Sequence, residues 1–273
     1  TLQAAAQISP QDSANMDASR DAVNKSGFVS DTNRTFPILF IVGDSTVHNL
    51  SRGERGWGDL IGKYFDEKKI RVENHALGGR SSRTFITQGW WDKVLTNSKP
   101  GDYVLIQMGH NDAGPLDDTN RARGSIRGLG DDTKDIFNPV TQKPETVHTY
   151  GWYLRKYIND ARAKGMTPIL CTPIPHCPTA EVKPGDIEKS EFVKLATAVA
   201  ENEKVLFINL NQIVMSHYAG MTPKEIKEKY FTPADNTHTS LAGAELNAQS
   251  VIEGLRQLKS CPLNNDLLPQ RGG

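Results

Sequence analysis

Five short apolar runs constrain the fold of this chain more than any other feature. They are PILFIV (37–42), IRVEN (70–74), DYVLIQM (102–108), TPILCT (167–172) and KVLFINL (204–210). Continuous runs of this length, rich in Val, Ile and Leu, suit parallel strands buried on both faces. Stretches with helical period lie between and after them. GWGDLIGKYFDEKK puts Trp57, Leu60, Ile61, Tyr64 and Phe65 on one face, and HTYGWYLRKYINDARAKG does the same with Tyr150, Tyr153, Leu154, Tyr157, Ile158 and Ala161 before stopping at Gly165. The last such stretch, SLAGAELNAQSVIEGLRQL, aligns Leu241, Ala244, Ala248, Val251, Ile252, Leu255 and Leu258. Strand–helix alternation predicts right-handed βαβ units. The expected fold is therefore a three-layer α/β/α sandwich around a five-stranded parallel sheet in the flavodoxin-like order 2-1-3-4-5. Ligand sites in such sheets form at the carboxyl ends of the strands.

The texture of the chain sets its boundaries. Residues 1–35 carry few large apolar side chains and no sustained period, which predicts a partly ordered leader; 36–260 is the expected domain, and 261–273 a C-terminal tail. Residues 114–147, rich in Gly, Asp and Arg, read as a long loop following the third strand, of the kind that often carries function in a compact domain. Lys+Arg and Asp+Glu both total 32, so no net field favours nucleic acid or an anionic membrane. No apolar run approaches the roughly 20 residues that span a bilayer, so a soluble protein is expected. Cys171, Cys177 and Cys261 are too few for a disulfide framework, and buried free thiols are expected. The chain opens at Thr1 with no signal-peptide pattern, which leaves the compartment open.

Three motifs follow strands and a fourth opens the last helix. Gly43-Asp44-Ser45 follows the first strand; its small residue lets the chain turn sharply, lifting the Ser45 hydroxyl above the sheet with its N–H at an expected helix start. Read alone, it is an ordinary strand-to-loop turn with Asp and Ser as caps. It is not the G-x-S-x-G elbow of the α/β-hydrolases. Ala76-Leu77-Gly78-Gly79-Arg80-Ser81-Ser82-Arg83 follows the second strand, and paired glycines let a main-chain N–H point at a ligand. Gly109-His110-Asn111-Asp112 follows the third, with Asn111 offering a neutral NH₂ donor. Asp235-Asn236-Thr237-His238 precedes the last helix; a carboxylate three positions before a His can accept the imidazole Nδ1–H and leave Nε2 free to take a hydroxyl proton. A helix cap or half of a metal site are the alternatives for this block, and zinc is disfavoured because no Cys and no further His stand at ligand spacing. In one doubly wound sheet all four motifs gather at one rim. They then supply a nucleophile, a general base, an orienting acid and oxyanion donors.

The blocks GDS, GG, GHND and D-x-x-H, in this order, resemble SGNH hydrolases. The wording FIVGDSTV, NHALGGRSSRTF, GDYVLIQMGHNDAG and DNTHTSLAGAE is similar to the rhamnogalacturonan acetylesterase family, over about Pro37 to Leu258. The resemblance implies a serine carbohydrate esterase that needs no metal or organic cofactor. It implies Ser45 as nucleophile, His238 as base and Asp235 as its partner, with the N–H groups of Ser45 and Gly79 and the Asn111 amide as oxyanion hole. It also implies an acetylated polysaccharide, such as a pectic rhamnogalacturonan, as substrate, and a secreted or periplasmic location. Neither nucleic acid nor membrane is an expected partner, and the oligomeric state is not legible.

Arginine pairs bidentately with a carboxylate such as galacturonate. Arg80 and Arg83 in the glycine loop, and Arg121, Arg123 and Arg127 in the insert, are therefore candidates for substrate contact. His110 and His148 are further candidates; Trp90 and Trp91 read as core. An SGNH lipase, lysophospholipase or thioesterase is the rival enzyme, and a catalytically idle carbohydrate-binding module the rival from another class. Neither a P-loop nor a dinucleotide-binding glycine pattern is present.

Overall fold

Alternate residues of the first strand enter opposite cores, and that arrangement organises the molecule. In the computed structural model, which describes residues 34–269 apart from 52, strand β1 spans Ile38–Gly43 and is buried throughout. Ile38, Phe40 and Val42 face one apolar cluster while Leu39 and Ile41 face the other. A strand's side chains alternate faces, so an unbroken apolar run needs cover on both sides. The other strands of the sheet are β2 (Arg71–Asn74), β3 (Tyr103–Gln107), β6 (Thr167–Cys171) and β7 (Leu206–Ile208); β4 (Thr133–Asn138) and β5 (Lys143–His148) form a separate antiparallel hairpin. The sheet is parallel, in the order β2-β1-β3-β6-β7. This is the expected 2-1-3-4-5 arrangement of the five apolar runs.

Helices cover both faces. Helices α1 (Ser82–Thr87), α2 (Trp90–Asn97), α3 (Tyr150–Ala163) and α4 (Glu191–Glu203) supply Phe85, Trp91, Tyr157 and Val199 to the core shared with Ile38 and Phe40. Helices α5 (Leu210–Tyr218), α6 (Pro223–Tyr230) and α7 (Leu241–Gln257) supply Val214, Ile226 and Val251 to the core shared with Leu39. Trp90 and Trp91 belong to the core, and all three cysteines are free and buried.

Three stretches differ from their expected form. The segment 56–69, expected as one helix, makes two short 3₁₀ turns, Trp57–Asp59 and Ile61–Tyr64. Three glycines weaken it as a helix, and it is pressed against the β1 turn, where Gly58 N donates to Val47 O at 2.9 Å. The insert, expected as a loop, contains the β4–β5 hairpin. That hairpin is exposed on most of its residues, with Phe137 58% exposed, so it shows no apolar alternation in sequence. Residues 261–267, expected within a tail, bury Cys261 and Leu263 and bridge Phe65 to Leu267. The leader falls outside the described residues up to 33; Arg34 is buried and pairs with buried Asp102 beneath the sheet.

Candidate active site

Strand β1 lies between β2 and β3, so the loops leaving all three carboxyl ends converge. Gly43 makes the turn possible: a Cβ there would lie 2.4 Å from Val47 Cγ2 and 3.0 Å from Gln107 O. Asp44 is fully buried and its Oδ1 accepts from the N–H and hydroxyl of Thr46, at 2.9 and 2.8 Å. Thr46 is in turn bonded by Gln107 Nε2 (2.7 Å), whose Oε1 accepts from Trp57 Nε1 (2.8 Å). This buried chain of hydrogen bonds fixes the backbone on either side of Ser45. The expected helix start does not form: residues 45–47 make a turn. The chain is drawn away by His48 and Asn49, which bond Asp59 at 2.5 and 3.1 Å.

The block at 235–238 meets this turn. His238 Nε2 lies 2.8 Å from Ser45 Oγ, and His238 Nδ1 lies 2.6 Å from Asp235 Oδ2. Asp235 Oδ1 accepts from the N–H groups of Thr237 (2.7 Å) and His238 (2.8 Å). Burial pushes the Asp235 carboxyl up, but those hydrogen bonds and the His238 charge outweigh it and hold it below its usual range. The helix-cap alternative fails because Ser240, not Asp235, caps α7 by accepting from Gly243 N. The loop itself is anchored: Cys177 N donates to Asn236 O at 2.8 Å, Lys227 Nζ bonds Asp235 O, and Arg55 N donates to Thr239 O at 3.0 Å.

Three donors lie on the turns that follow β1, β2 and β3. Gly79 adopts a left-handed φ of 79°, which glycine tolerates without steric cost. Among the described residues the N–H groups of Ser45 and Gly79 are spent on no intramolecular hydrogen bond. Asn111 Nδ2 donates one hydrogen to Arg80 O at 2.8 Å, which orients the amide and leaves its second hydrogen available. Asp112 next to it is fully buried, accepting from Ser82 Oγ (2.5 Å) and Ser125 Oγ (3.0 Å); burial raises its carboxyl to about 6.

The expected substrate contacts fare unevenly. Arg83 must be corrected: its side chain is fully buried, pairing with Glu145 at 2.7 Å and donating to Leu116 O and Gly124 O at 2.8 Å each. It ties the insert to α1 and has no access to substrate. Arg80 is 7% exposed, its guanidinium bonded to Gln88 Oε1, just past α1, and to Gly78 O. His110 stands beside Asn111 and meets His176 edge-on at 5.0 Å; burial lowers its pKa, against the pull of Asp44. Both its ring nitrogens are buried without a hydrogen-bond partner among the described residues. His148 stacks on Trp152 at 3.7 Å and touches Tyr153, a cluster at the base of the hairpin distinct from the Ser45–His238–Asp235 group.

Glu54 escaped sequence reasoning. Its Oε2 stands 4.0 Å from His238 Nδ1 and accepts from Asn49 Nδ2 at 2.7 Å. No motif surrounds it in SRGERG, and only the fold brings it to the imidazole. Glu54, Asp235 and His238 also offer three ligand atoms within 4.8 Å of one another, but Asp235 and His238 are already committed to each other and Glu54 to Asn49.

A nucleophile, a base and an acid in one hydrogen-bonded line, beside uncommitted N–H donors, can form and break an acyl–oxygen bond. Comparison with known proteins agrees with that chemistry. The GDSL-like lipase/acylhydrolase family matches residues 41–246. The rhamnogalacturonan acetylesterase RhgT of Bacillus subtilis is 31% identical over 251 residues, covering 86% of this chain and 95% of its own. A rhamnogalacturonan acetylesterase of Emericella nidulans is 28% identical over 218 residues, 80% of this chain and 84% of its own. The crystal structure of YxiM from Bacillus subtilis superposes with a TM-score of 0.66 at 25% identity, over 84% of this chain and 58% of that one. The chain belongs to the GDSL-like lipase/acylhydrolase family, and it is a serine esterase.

Proposed function

We propose that the chain removes acetyl groups from a plant-wall polysaccharide, pectic rhamnogalacturonan, through an acetyl-serine intermediate. The observation that carries the mechanism is the unbroken line Ser45 Oγ–His238 Nε2–Nδ1–Asp235 Oδ2, at 2.8 and 2.6 Å. His238 takes the Ser45 hydroxyl proton as Oγ attacks the acetyl carbonyl. Asp235 holds the ring and stabilises the imidazolium. Charge on the carbonyl oxygen is met by the N–H groups of Ser45 and Gly79 and by the Asn111 amide, a contribution of about 10²–10³ in rate for each such donor in related chemistry. The tetrahedral centre collapses, the sugar hydroxyl leaves with the proton from His238, and acetyl-Ser45 remains. Water, deprotonated by His238, then adds to the acyl carbon; acetate departs and Ser45 recovers its proton.

The substrate reading rests on the two acetylesterase relatives named above. An enzyme acting on such polymers meets them outside the cytoplasm, so a secreted or periplasmic location goes with this reading. One set of measurements tests it. A fluorophosphonate probe labels Ser45, and Ser45→Ala abolishes labelling; labelling that survives the substitution refutes the nucleophile. Acetate release is faster from acetylated rhamnogalacturonan than from acetylated xylan, and acetate esters outpace octanoate esters. A preference for octanoate replaces this reading with a lipase-type one.

A further inference from the structure

Among the arginines around the glycine loop, Arg83 and Arg127 have carboxylate partners and Arg80 is hydrogen-bonded, whereas Arg123 has no carboxylate partner among the described residues. Arg83 pairs with Glu145, and Arg127, at the surface, pairs with Glu191 at 3.2 Å. Arg80 Nε donates to Gln88 Oε1, just past α1, and its Nη1 to Gly78 O. Arg123 is half-buried, and its Nη1 makes one hydrogen bond, to Gly79 O at 3.2 Å. Among the described residues no carboxylate lies within ion-pair distance of it. Asp118, the closest acid in sequence, has its carboxylate committed to the N–H groups of Asn120, Arg121 and Ala122. Burial, followed by the charge of Arg121, disfavours the guanidinium; Asp118, Asp44 and Asp112 act from beyond ion-pair distance in its favour.

Buried arginines are ordinarily paired; half-buried Arg123 instead keeps an unpaired charge beside the candidate oxyanion loop, open to a counter-charge that arrives with a ligand. Its backbone is held for the purpose. Arg83 Nη1 bonds Gly124 O, Gly124 N donates to Pro115 O at 3.1 Å, and Ala122 N donates to Asp118 Oδ2 at 2.8 Å. The planar fork of a guanidinium matches a carboxylate bidentately, and Gly79 O occupies only Nη1.

We propose that Arg123 recognises a carboxylate on the saccharide chain, that of a uronate neighbouring the acetylated sugar. This inference rests on the pectic reading above and adds to it a residue and a charge requirement. The neutral part of the polymer contributes contacts common to any glycan. The uronate supplies the discrimination.

The test compares acetylated rhamnogalacturonan oligosaccharides bearing free uronates with the same oligosaccharides methyl-esterified at those carboxyls. The readout is the ratio of kcat/KM between the two substrates, in the wild type, Arg123→Gln and Arg123→Lys. A hydrogen bond to a charged group corresponds to about 10- to 100-fold. The wild type therefore favours the acid form by that factor, Arg123→Gln brings the ratio to about one, and Arg123→Lys, a point charge without the fork, keeps part of it. A ratio near one in the wild type overturns the proposal. So does a variant that slows both substrates equally, which would make Arg123 only a prop for the Gly79 loop. Should Arg123→Gln fail to fold, the wild-type ratio and the lysine variant still decide. Preference for acetylated xylan over acetylated rhamnogalacturonan counts against the pectic reading; a wild type without an acid-to-ester preference, or a preference that persists undiminished in Arg123→Gln, counts against Arg123.

Discussion

Asp112 makes the stability of this protein depend on pH in a direction opposite to Asp235, Glu73, Glu145 and Glu188, whose carboxyls are lowered, and Asp112→Asn isolates that dependence. The carboxyl is fully buried between Ser82 and Ser125, and burial lifts it from 3.8 to about 6 against the hydrogen bonds that favour its ionised form. Between those values the folded chain holds a proton that the unfolded chain has released. Stability from this group is therefore complete below the unfolded value and is lost as pH rises through the folded one. A shift of about two units corresponds to on the order of 3 kcal/mol, of which about 2 kcal/mol falls between pH 4.5 and 7.5. An asparagine accepts from Ser82 and Ser125 through its carbonyl and does not titrate. Its own effect on packing is the same at every pH, so the informative quantity is the variant's Tm minus the wild type's, followed across pH. That difference should rise by roughly 4–8 °C from pH 4.5 to pH 7.5 for a domain of this size. A difference that stays flat would mean that Asp112 is not a desolvated acid, and the reasoning from its burial would fail.

Two further substitutions probe the supports of the site. Arg83→Met strands Glu145 and two carbonyl oxygens and should cost about 3–5 kcal/mol in urea unfolding; adding Glu145→Gln should recover part of that loss, and strictly additive effects would show that the pair is not coupled. Glu54 Oε2 stands 4.0 Å from the same Nδ1 that Asp235 holds, so Asp235→Asn should retain several-fold more esterase activity than Asp235→Asn with Glu54→Gln, a gap expected from about 1 kcal/mol of screened attraction. Equal rates in the single and double variants would remove Glu54 from the electrostatics of the base.

Much of the fold was legible because burial on both faces leaves a direct mark on composition. PILFIV, DYVLIQM and TPILCT have no polar alternation to hide, and their order in the sheet follows from right-handed connections between neighbours. Ser45, Asp235 and His238 were legible for a related reason. Nδ1 and its acid lie three residues apart, so their pairing is local, and the GDS turn follows directly from a strand. Elements whose cover is partial left weaker marks. The β4–β5 hairpin is mostly wet, so Ile136 and Phe137 do not alternate with polar residues, and the segment 56–69 has a helical apolar period but three glycines and a close neighbour at Val47. Tertiary structure alone decided the fates of the arginines. In sequence Arg83 and Arg123 are equivalent basic residues near a glycine loop; in the fold one meets Glu145 in the interior and the other pairs with no acid among the described residues. Glu54 likewise reaches His238 because its neighbour Arg55 is stitched to Thr239. Hydrophobic periodicity is a property of neighbours along the chain, whereas the partner of a charge is set by whichever loop the fold delivers from elsewhere.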